Sequence, residues 1–380
     1  MTGNTLGWVI VAFVLYLLMM IAIGAFYAKG NNNSEDYFLG GRKLNGFVAA
    51  LSAQASDMSG WLLMGLPGAI YLTGVGGDGW IAIGLFIGTT LNWLFIATKL
   101  RRYTIRANNS VTLPTYFENR FHDEKKVLMA VSSITIVVFF LVYCASALSA
   151  GGQLFESVFG IDYHVALTIG ALVVLVYTFL GGFTAVCVTD FIQGMLMLVG
   201  ILAVPLFAYH FLTTGGTTLS AGLEASGADS ANFLNLMKNG DGSNNIISVI
   251  SGLGWGLGYF GMPHILVRFM AVRDEKEMTK SKATAISWVA LSLGFAVFIG
   301  ILGRAYLPEL VNGNNEKVFI EMIKKVFTVE MRAPFIAGLF LCGILAAIMS
   351  TADSQLLVSA SSVAEDIFKG LLKKDATRRS

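Results

Sequence analysis

The chain has 380 residues, 55% of them hydrophobic and only 13% charged, with a mean hydropathy of +0.68 and a formal net charge of +2. That composition excludes an ordinary soluble globular domain, and the near-even charge balance, with no concentration of lysine and arginine on one face, argues against a nucleic-acid-binding module. The three cysteines, Cys144, Cys187 and Cys342, lie in apolar stretches with no second cysteine or histidine at ligand spacing, so they read as soft packing residues.

A helix needs roughly 20 apolar residues to cross a bilayer. Runs of that length recur at 6–28, 45–73, 79–98, 127–157, 163–182, 186–212, 244–271, 283–306 and 334–360, which predicts an all-α integral membrane protein with nine spans. The first run lacks a basic leader and a small-residue cleavage site, so it is expected to stay as an anchor. Orientation follows from the 26 lysines and arginines. On alternating loops about 20 fall on one side: Lys29, Arg42, Lys43, the cluster from Lys99 to Lys126, the group from Arg268 to Lys282, and the tail with Lys369, Lys373, Lys374, Arg378 and Arg379. Lys238, Arg304, Lys317, Lys324, Lys325 and Arg332 fall on the other. The N-terminus is therefore expected outside a cell membrane and the tail in the cytoplasm.

Two outer loops have some size. The first, 213–243, is rich in Gly, Ser, Thr and Asn; the second, 307–333, contains Val318, Phe319, Met322, Ile323 and Val326 at helical spacing between charges. That pattern predicts an amphipathic helix from Asn315 to Phe327 over the outer mouth, either a lid or a loop helix with no gating part.

Two spans carry the features of a broken helix. Span 2 reads LSAQASDMSGWLLMGLPGAIYLTG, with Ser56, Ser59, Gly60, Gly65, Pro67 and Gly68 crowding its middle around the formally charged Asp57; span 7 reads SGLGWGLGYFGMPHILVRFM, with five glycines before Pro263. Proline removes a donor and clashes with the preceding turn, and glycine tolerates unwound backbone, so both spans are expected to open near the midplane. Unwound backbone persists at that depth only beside protein or a watery cavity, and a matching pair of broken spans points to a transporter binding site. Trp61 and Trp255 lie 194 residues apart, and span 7 follows span 2 by five helices with reversed orientation, as an inverted repeat of five-helix units requires. The alternative is that the glycines only permit close helix packing.

A carboxylate at mid-bilayer costs roughly 2.5–3.5 kcal/mol even on a lenient insertion scale, so Asp57 must have partners. Asp190 and Asp353 are further candidates, each also readable as an interfacial charge reaching the cytoplasm. Span 9 reads ILAAIMSTADSQLLVSASS and brings the hydroxyls of Ser350, Thr351 and Ser354 onto one helix beside Ala346 and Ala347. Two hydroxyls, with carbonyls freed by the break in span 2, could hold a dehydrated Na⁺; such hydroxyls also commonly bond back to their own helix. Asp353 follows Ser350 by three residues and shares its face. If Asp190 lies opposite, two acids flank an inward exit and must share a proton or hold a cation between them. Otherwise Asp353 caps a helix or meets a basic loop residue.

The stretches SEDYFLGGRKL, LSAQASDMSGWLLMGLPGA, GWGLGYFGMPHILVRFMA and ILAAIMSTADSQLL resemble the solute:sodium symporter family. The resemblance implies a leucine-transporter-type inverted-repeat helical bundle, and alternating access in which Na⁺ drives uptake of a small solute, expected to be L-proline. It implies a sodium site on the carbonyls of Ala55, Met58 and Ala347 and the hydroxyls of Ser350 and Thr351, with Asp57 as the adjacent acid and Asp190 on the inward sodium route. It places substrate contacts on Ser59, Gly60, Trp61, Tyr143, Trp255, Tyr259 and Pro263. The implied organisation is an extra helix and cytoplasmic loop (1–44), a first five-helix repeat (45–212), an extracellular loop (213–243), three helices of the second repeat with the outer loop helix (244–360), and a basic cytoplasmic tail (361–380). The family expects four more spans, so the chain reads as truncated after about nine transmembrane helices. Its partners are then the solute, Na⁺ and membrane lipid. A symporter for sugar, pantothenate or another amino acid, or a transporter-like sensor, stays open. An enzyme is not expected, because His122, His164, His210 and His264 are scattered and no nucleophile and base pair appears.

Overall fold

Long apolar runs leave no polar backbone for lipid to satisfy once they coil, and they do so here throughout. The computed structural model describes residues 3–30 and 33–372 and is built of helices, with two isolated β-bridges and no longer strand among those residues. The tail cations Lys373, Lys374, Arg378 and Arg379 lie outside the described residues.

Helix α1 (Gly3–Tyr27) is one continuous span. Span 2 divides into α2 (Gly46–Met58) and α3 (Gly65–Thr73), joined by a tight turn at Gly60–Leu62. Helix α4 (Val75–Leu91) runs through a π turn at Asn92–Ile96 into a charged extension ending at Arg106, longer than the apolar run alone predicts. Helix α5 (Val127–Phe159) is unbroken. Helix α6 (Tyr163–Thr214) has 52 residues, about 78 Å at 1.5 Å per residue and far more than one bilayer crossing. It is broken at Gly182, whose φ of 59° and ψ of −159° only glycine adopts readily. The gap expected between spans 5 and 6 is thus a single residue.

Span 7 divides into α7 (Ile246–Gly254), continued by a 3₁₀ stretch at Trp255–Gly261, and α8 (Pro263–Ala271), with a bend of 47° between Ile246–Gly261 and Pro263–Ala271. Helix α9 (Glu275–Tyr306) follows. The outer loop holds α10 (Val318–Lys324), preceded by a 3₁₀ turn and followed by a π turn. Its apolar face is fully buried, and the Asn315 side chain donates 3.0 Å to the Gly68 carbonyl, so this helix is packed onto α3 rather than solvated. The loop 213–243 is also less open than its composition suggests, holding short helices at Leu219–Ala225 and Ser230–Phe233. Helix α11 (Pro334–Ser361) continues as a π-helical stretch at Ser362–Leu372, so the expected tail begins as ordered helix.

Six helices among the described residues are long and apolar enough to cross a membrane, or seven if the bent pair α7–α8 is counted as one span. Their outward faces carry large apolar side chains such as Phe139, Phe179, Ile247 and Leu257, as lipid contact requires. Helix α11 is the exception: 83% of its apolar window is buried, against 28% for α5. It is the central post of the bundle, packed on α1, α5 and α6.

The two broken spans lie side by side. At one end Leu44 and Val272 form a parallel bridge, Leu44 N–H donating 3.1 Å to the Ala271 carbonyl and Arg273 N–H 2.9 Å to Leu44. At the other end Trp61 and Trp255 stack, with ring centroids 5.8 Å apart and planes 23° from parallel. From bridge to stack one chain ascends in number and the other descends, so the segments run antiparallel, as inverted topology demands. The span 7 glycines also serve close packing: a Cβ on Gly88 of α4 would stand 2.2 Å from the Gly256 carbonyl. The glycine run thus both breaks the helix and permits close packing.

Candidate functional site

Breaking α2 at Met58 orphans the carbonyls of its last turn, since nothing follows to donate to them. Ser59, where the helix stops, takes φ of 51° and ψ of −173°, a strained conformation for a residue with a Cβ. Its hydroxyl accepts from Trp61 N–H at 3.1 Å, which holds the turn. Two freed carbonyls are met from α11. Ser350 donates 2.8 Å to the Ala55 carbonyl and 3.3 Å to Ala347, while Thr351 donates 3.0 Å to Ser56 and 3.0 Å to Ala347. All these groups are fully buried.

The result is a dry knot of carbonyl and hydroxyl oxygens, the donor set of a hard cation. No group of three or more His, Cys, Asp or Glu that would suit a transition metal occurs among the described residues. The structure thus brings together Ala55, Ala347, Ser350 and Thr351. Thr351 meets the carbonyl of Ser56 where the resemblance implies Met58; Met58 instead faces the neighbouring cavity.

That cavity, of about 110 Å³, lies between the breaks and is walled by Asp57, Met58, Ser59, Trp61, Leu85, Tyr143, Trp255, Gly258, Tyr259 and Met262. At ~10–15 Å³ per water-sized sphere it has room for a solute of roughly seven to eleven non-hydrogen atoms. Four aromatic side chains, Trp61, Tyr143, Trp255 and Tyr259, form part of the wall. The C-terminal end of α2 and the turn that follows it reach this cavity through Asp57, Met58, Ser59 and Trp61, and a helix C-terminus presents carbonyls to a cation. Asp57 sits at the junction: its Oδ2 is buried without a hydrogen-bond partner among the described residues, and its Oδ1 stands 4.0 Å from His264 Nε2.

Five of the seven expected substrate positions line this cavity: Ser59, Trp61, Tyr143, Trp255 and Tyr259. Two do not. Gly60 backs onto Ile348 of α11, 3.1 Å from where a Cβ would stand, and Pro263 starts α8 and borders a separate cavity of about 20 Å³.

Asp190 and Asp353 are wholly buried rather than interfacial. Arg268, counted above among the loop cations, is wholly buried with them; it pairs with Asp190 and reaches Asp353 only through the Ser354 hydroxyl. Its Nη2 donates 3.0 Å to Asp190 Oδ2 and 2.5 Å to the Ser354 hydroxyl, its Nε donates 3.0 Å to Ser52, and its Nη1 donates 2.6 Å to the His264 carbonyl. Ser52 donates 2.6 Å to Asp190. Ser354 donates 3.1 Å to Asp353 Oδ1, and Tyr177 donates 2.6 Å to Asp353 Oδ2. The chain therefore supplies a cation to Asp190, while Asp353 is met by two hydroxyls. Asp353 neither caps a helix nor meets a loop cation. Ser52, Tyr177, His264 and Arg268 are the members of this site that sequence reasoning missed; only Arg268 announced itself, as a charge inside an apolar run beside an acid that needed a partner.

A family model described as sodium:solute symporter family matches residues 37–380. The sodium/proline symporter of Salmonella typhimurium is 44% identical over 376 residues, covering 97% of this chain and 72% of that protein. That of Haemophilus influenzae is 45% identical over 378 residues (97% and 73%), and that of Staphylococcus aureus (strain JH9) is 43% identical over 362 residues (94% and 68%). Among solved structures, a Na⁺-coupled sialic acid symporter in a substrate-bound outward-open state superposes with a TM-score of 0.81 at 21% identity, covering 98% of this chain and 77% of that one, which shows a shared fold. A broken-helix cavity beside a knot of hard oxygens, a family model that spans nine-tenths of the sequence and relatives matching nearly its whole length lead to one conclusion: the chain belongs to the sodium:solute symporter family.

Proposed function

We propose that this protein imports L-proline together with Na⁺ by alternating access. The observation that carries the proposal is the aromatic cavity sharing one broken helix with the oxygen knot at Ala55, Ser56, Ala347, Ser350 and Thr351. Na⁺ replaces the hydroxyl protons as the partner of the freed carbonyls, with Asp57 supplying negative charge nearby. Proline has eight non-hydrogen atoms, and its apolar ring suits Trp61, Tyr143, Trp255 and Tyr259. Its carboxylate meets the amides at the start of α3, and its amine faces the carbonyls or Asp57. The relatives named for sodium/proline symport support this solute over sugar or pantothenate.

Counting α6 as a span on each side of Gly182, and α2–α3 and α7–α8 as one broken span each, gives nine spans, with the N-terminus outside and the later end of the chain cytoplasmic. In this reading residues 45–212 form the first repeat and 244–360 the first three helices of the second. The Asp190–Arg268–Asp353 network then closes the inward sodium route. Arg42 adds a second closure, donating 2.8 Å to the Met270 carbonyl and 2.8 Å to Ser110.

One Na⁺ entering per solute gains about 2.3 kcal/mol per 100 mV and about 1.4 kcal/mol for a tenfold gradient, enough for roughly 500-fold accumulation. Uptake of labelled L-proline into proteoliposomes, with the Na⁺ gradient and the potential imposed separately, tests the reading. Each is expected to stimulate uptake, and unlabelled proline to compete where glucose and pantothenate do not. Uptake indifferent to both driving forces refutes it.

A further inference from the structure

On the lipid-facing side of the bundle, away from the candidate site, α2, the second half of α6 and α9 enclose a groove of about 760 Å³. Its walls are apolar, with Phe47 and Leu51 from α2, Met195 and Leu198 from α6, and Trp288 and Leu291 from α9. It opens outward: Phe47 is 55%, Met195 44% and Leu291 45% exposed.

The α9 wall is a single stripe. Lys276, Lys280, Ala283, Ser287 and Leu291 recur at steps of three or four, which keeps them on one helix face. Ala283, Ser287 and Leu291 line the groove over about 12 Å of helix rise. The two lysines continue the stripe past its end, where Lys280 lies against Gly46 at the start of α2. Lys280 shares Glu277 with Arg273, at 2.9 and 3.3 Å, and Glu277 also accepts from Gly46 N–H at 2.6 Å. Glu275 is held by Arg102 at 2.7 Å. Lys276 is exposed and has no carboxylate within ion-pair distance among the described residues. Arg273 is also paired with Asp274 at 3.2 Å, so around this end of the groove Arg102, Arg273, Lys276 and Lys280 exceed Asp274, Glu275 and Glu277 by one positive charge, and the rest of the groove is apolar.

We infer that this groove binds an anionic glycerophospholipid, one acyl chain lying between α2 and α9 and the phosphate seated on Lys276 and Lys280. Apolar walls alone accept any chain; the lysine pair selects the headgroup. The seated chain packs against Leu51, one turn before Ala55 on the same half-helix, which ties occupancy to the helix that presents the sodium-facing carbonyls.

The test places the full chain in phosphatidylcholine nanodiscs doped with phosphatidylglycerol or phosphatidylcholine brominated on the acyl chain. Quenching of Trp288 is read as the difference between the parent and its Trp288→Phe variant. Half-maximal quenching is expected at roughly 5–30-fold less brominated phosphatidylglycerol than phosphatidylcholine, on the scale of one or two surface lysines. Lys276→Gln with Lys280→Gln should bring the two lipids within twofold, the Lys276→Arg and Lys280→Arg pair should keep the preference, and Ala283→Leu should weaken quenching by both. Equal quenching in the parent, a preference that survives the glutamine pair, or no quenching because a second copy or another segment covers the groove, overturns the inference. So does loss of the preference to millimolar inorganic phosphate but not to chloride at equal ionic strength, which would assign the lysines to a soluble anion.

Discussion

Removing Arg268 is the most informative single perturbation of the buried network. Its guanidinium donates to Asp190, Ser52, Ser354 and the His264 carbonyl, all within 3.0 Å and all out of contact with solvent. In Arg268→Met the apolar stem is kept, but Asp190 is left with the Ser52 hydroxyl at 2.6 Å and the Ser354 hydroxyl at 3.5 Å, and Asp353 stays beside it. Breaking one side of a buried ion pair costs about 3–5 kcal/mol. With an unfolding entropy of roughly 2.1 cal/mol/K per residue over this length, that is a fall in melting temperature of roughly 4–6 °C. Asp190→Asn alone leaves the guanidinium short of charge and should cost a similar amount, whereas the double variant should recover about 0.5–3 kcal/mol relative to additivity. Scanning fluorimetry of the purified variants in one detergent measures all four corners of the cycle. A single variant as stable as the parent, or strictly additive losses, would refute the claim that the two groups stabilise each other.

Ser350→Ala is expected to weaken sodium activation about 5–30-fold. The lost ion contact is worth about 1.5–3 kcal/mol, offset in part by the Ser350–Ala55 hydrogen bond that the ion no longer has to displace; a change below twofold in the half-saturating Na⁺ concentration would remove Ser350 from the site. Thr351→Ser keeps an oxygen and should stay within about threefold of the parent in the same titration. Trp61→Ala and Trp255→Ala should each raise the half-saturating proline concentration about 5–50-fold, through lost burial and a stack worth about 0.5–1.5 kcal/mol, while Trp→Phe at either position recovers part of the loss in uptake assays. Gly88→Ala forces a Cβ to 2.2 Å from the Gly256 carbonyl, so α4 must move off the broken span; a thermal scan should find a loss of about 1–3 kcal/mol, and unchanged stability would contradict the packing described.

The broken spans were legible because glycine and proline act through the backbone itself, and Ser59, Trp61 and Trp255 fell where those residues predicted. Ser350 and Thr351 were legible as hydroxyls, but their partner Ser56 was not, since which orphan carbonyl a hydroxyl reaches depends on how two helices are rotated against each other. Gly182 gave a weak signal: one residue at φ 59° breaks the helix without any polar loop to mark it. Arg268 was misassigned because counting loop charges treats every cation near a span end as solvated. Its place inside the apolar run 244–271, with Asp190 lacking a partner, argued the other way. Tyr177 and Ser52 are ordinary residues of a membrane helix until Asp353 and Asp190 are placed beside them.

The central claim is that the oxygen knot and the aromatic cavity are coupled through α2, and linkage makes this measurable without transport. Equilibrium binding of labelled L-proline to the detergent-purified protein, titrated against Na⁺, should give a proline affinity that rises about 5–150-fold to a plateau, with proline raising Na⁺ affinity by the same factor. In Ser350→Ala the plateau should shift to higher Na⁺. Proline binding that is equally tight with Na⁺ absent and saturating would contradict the account.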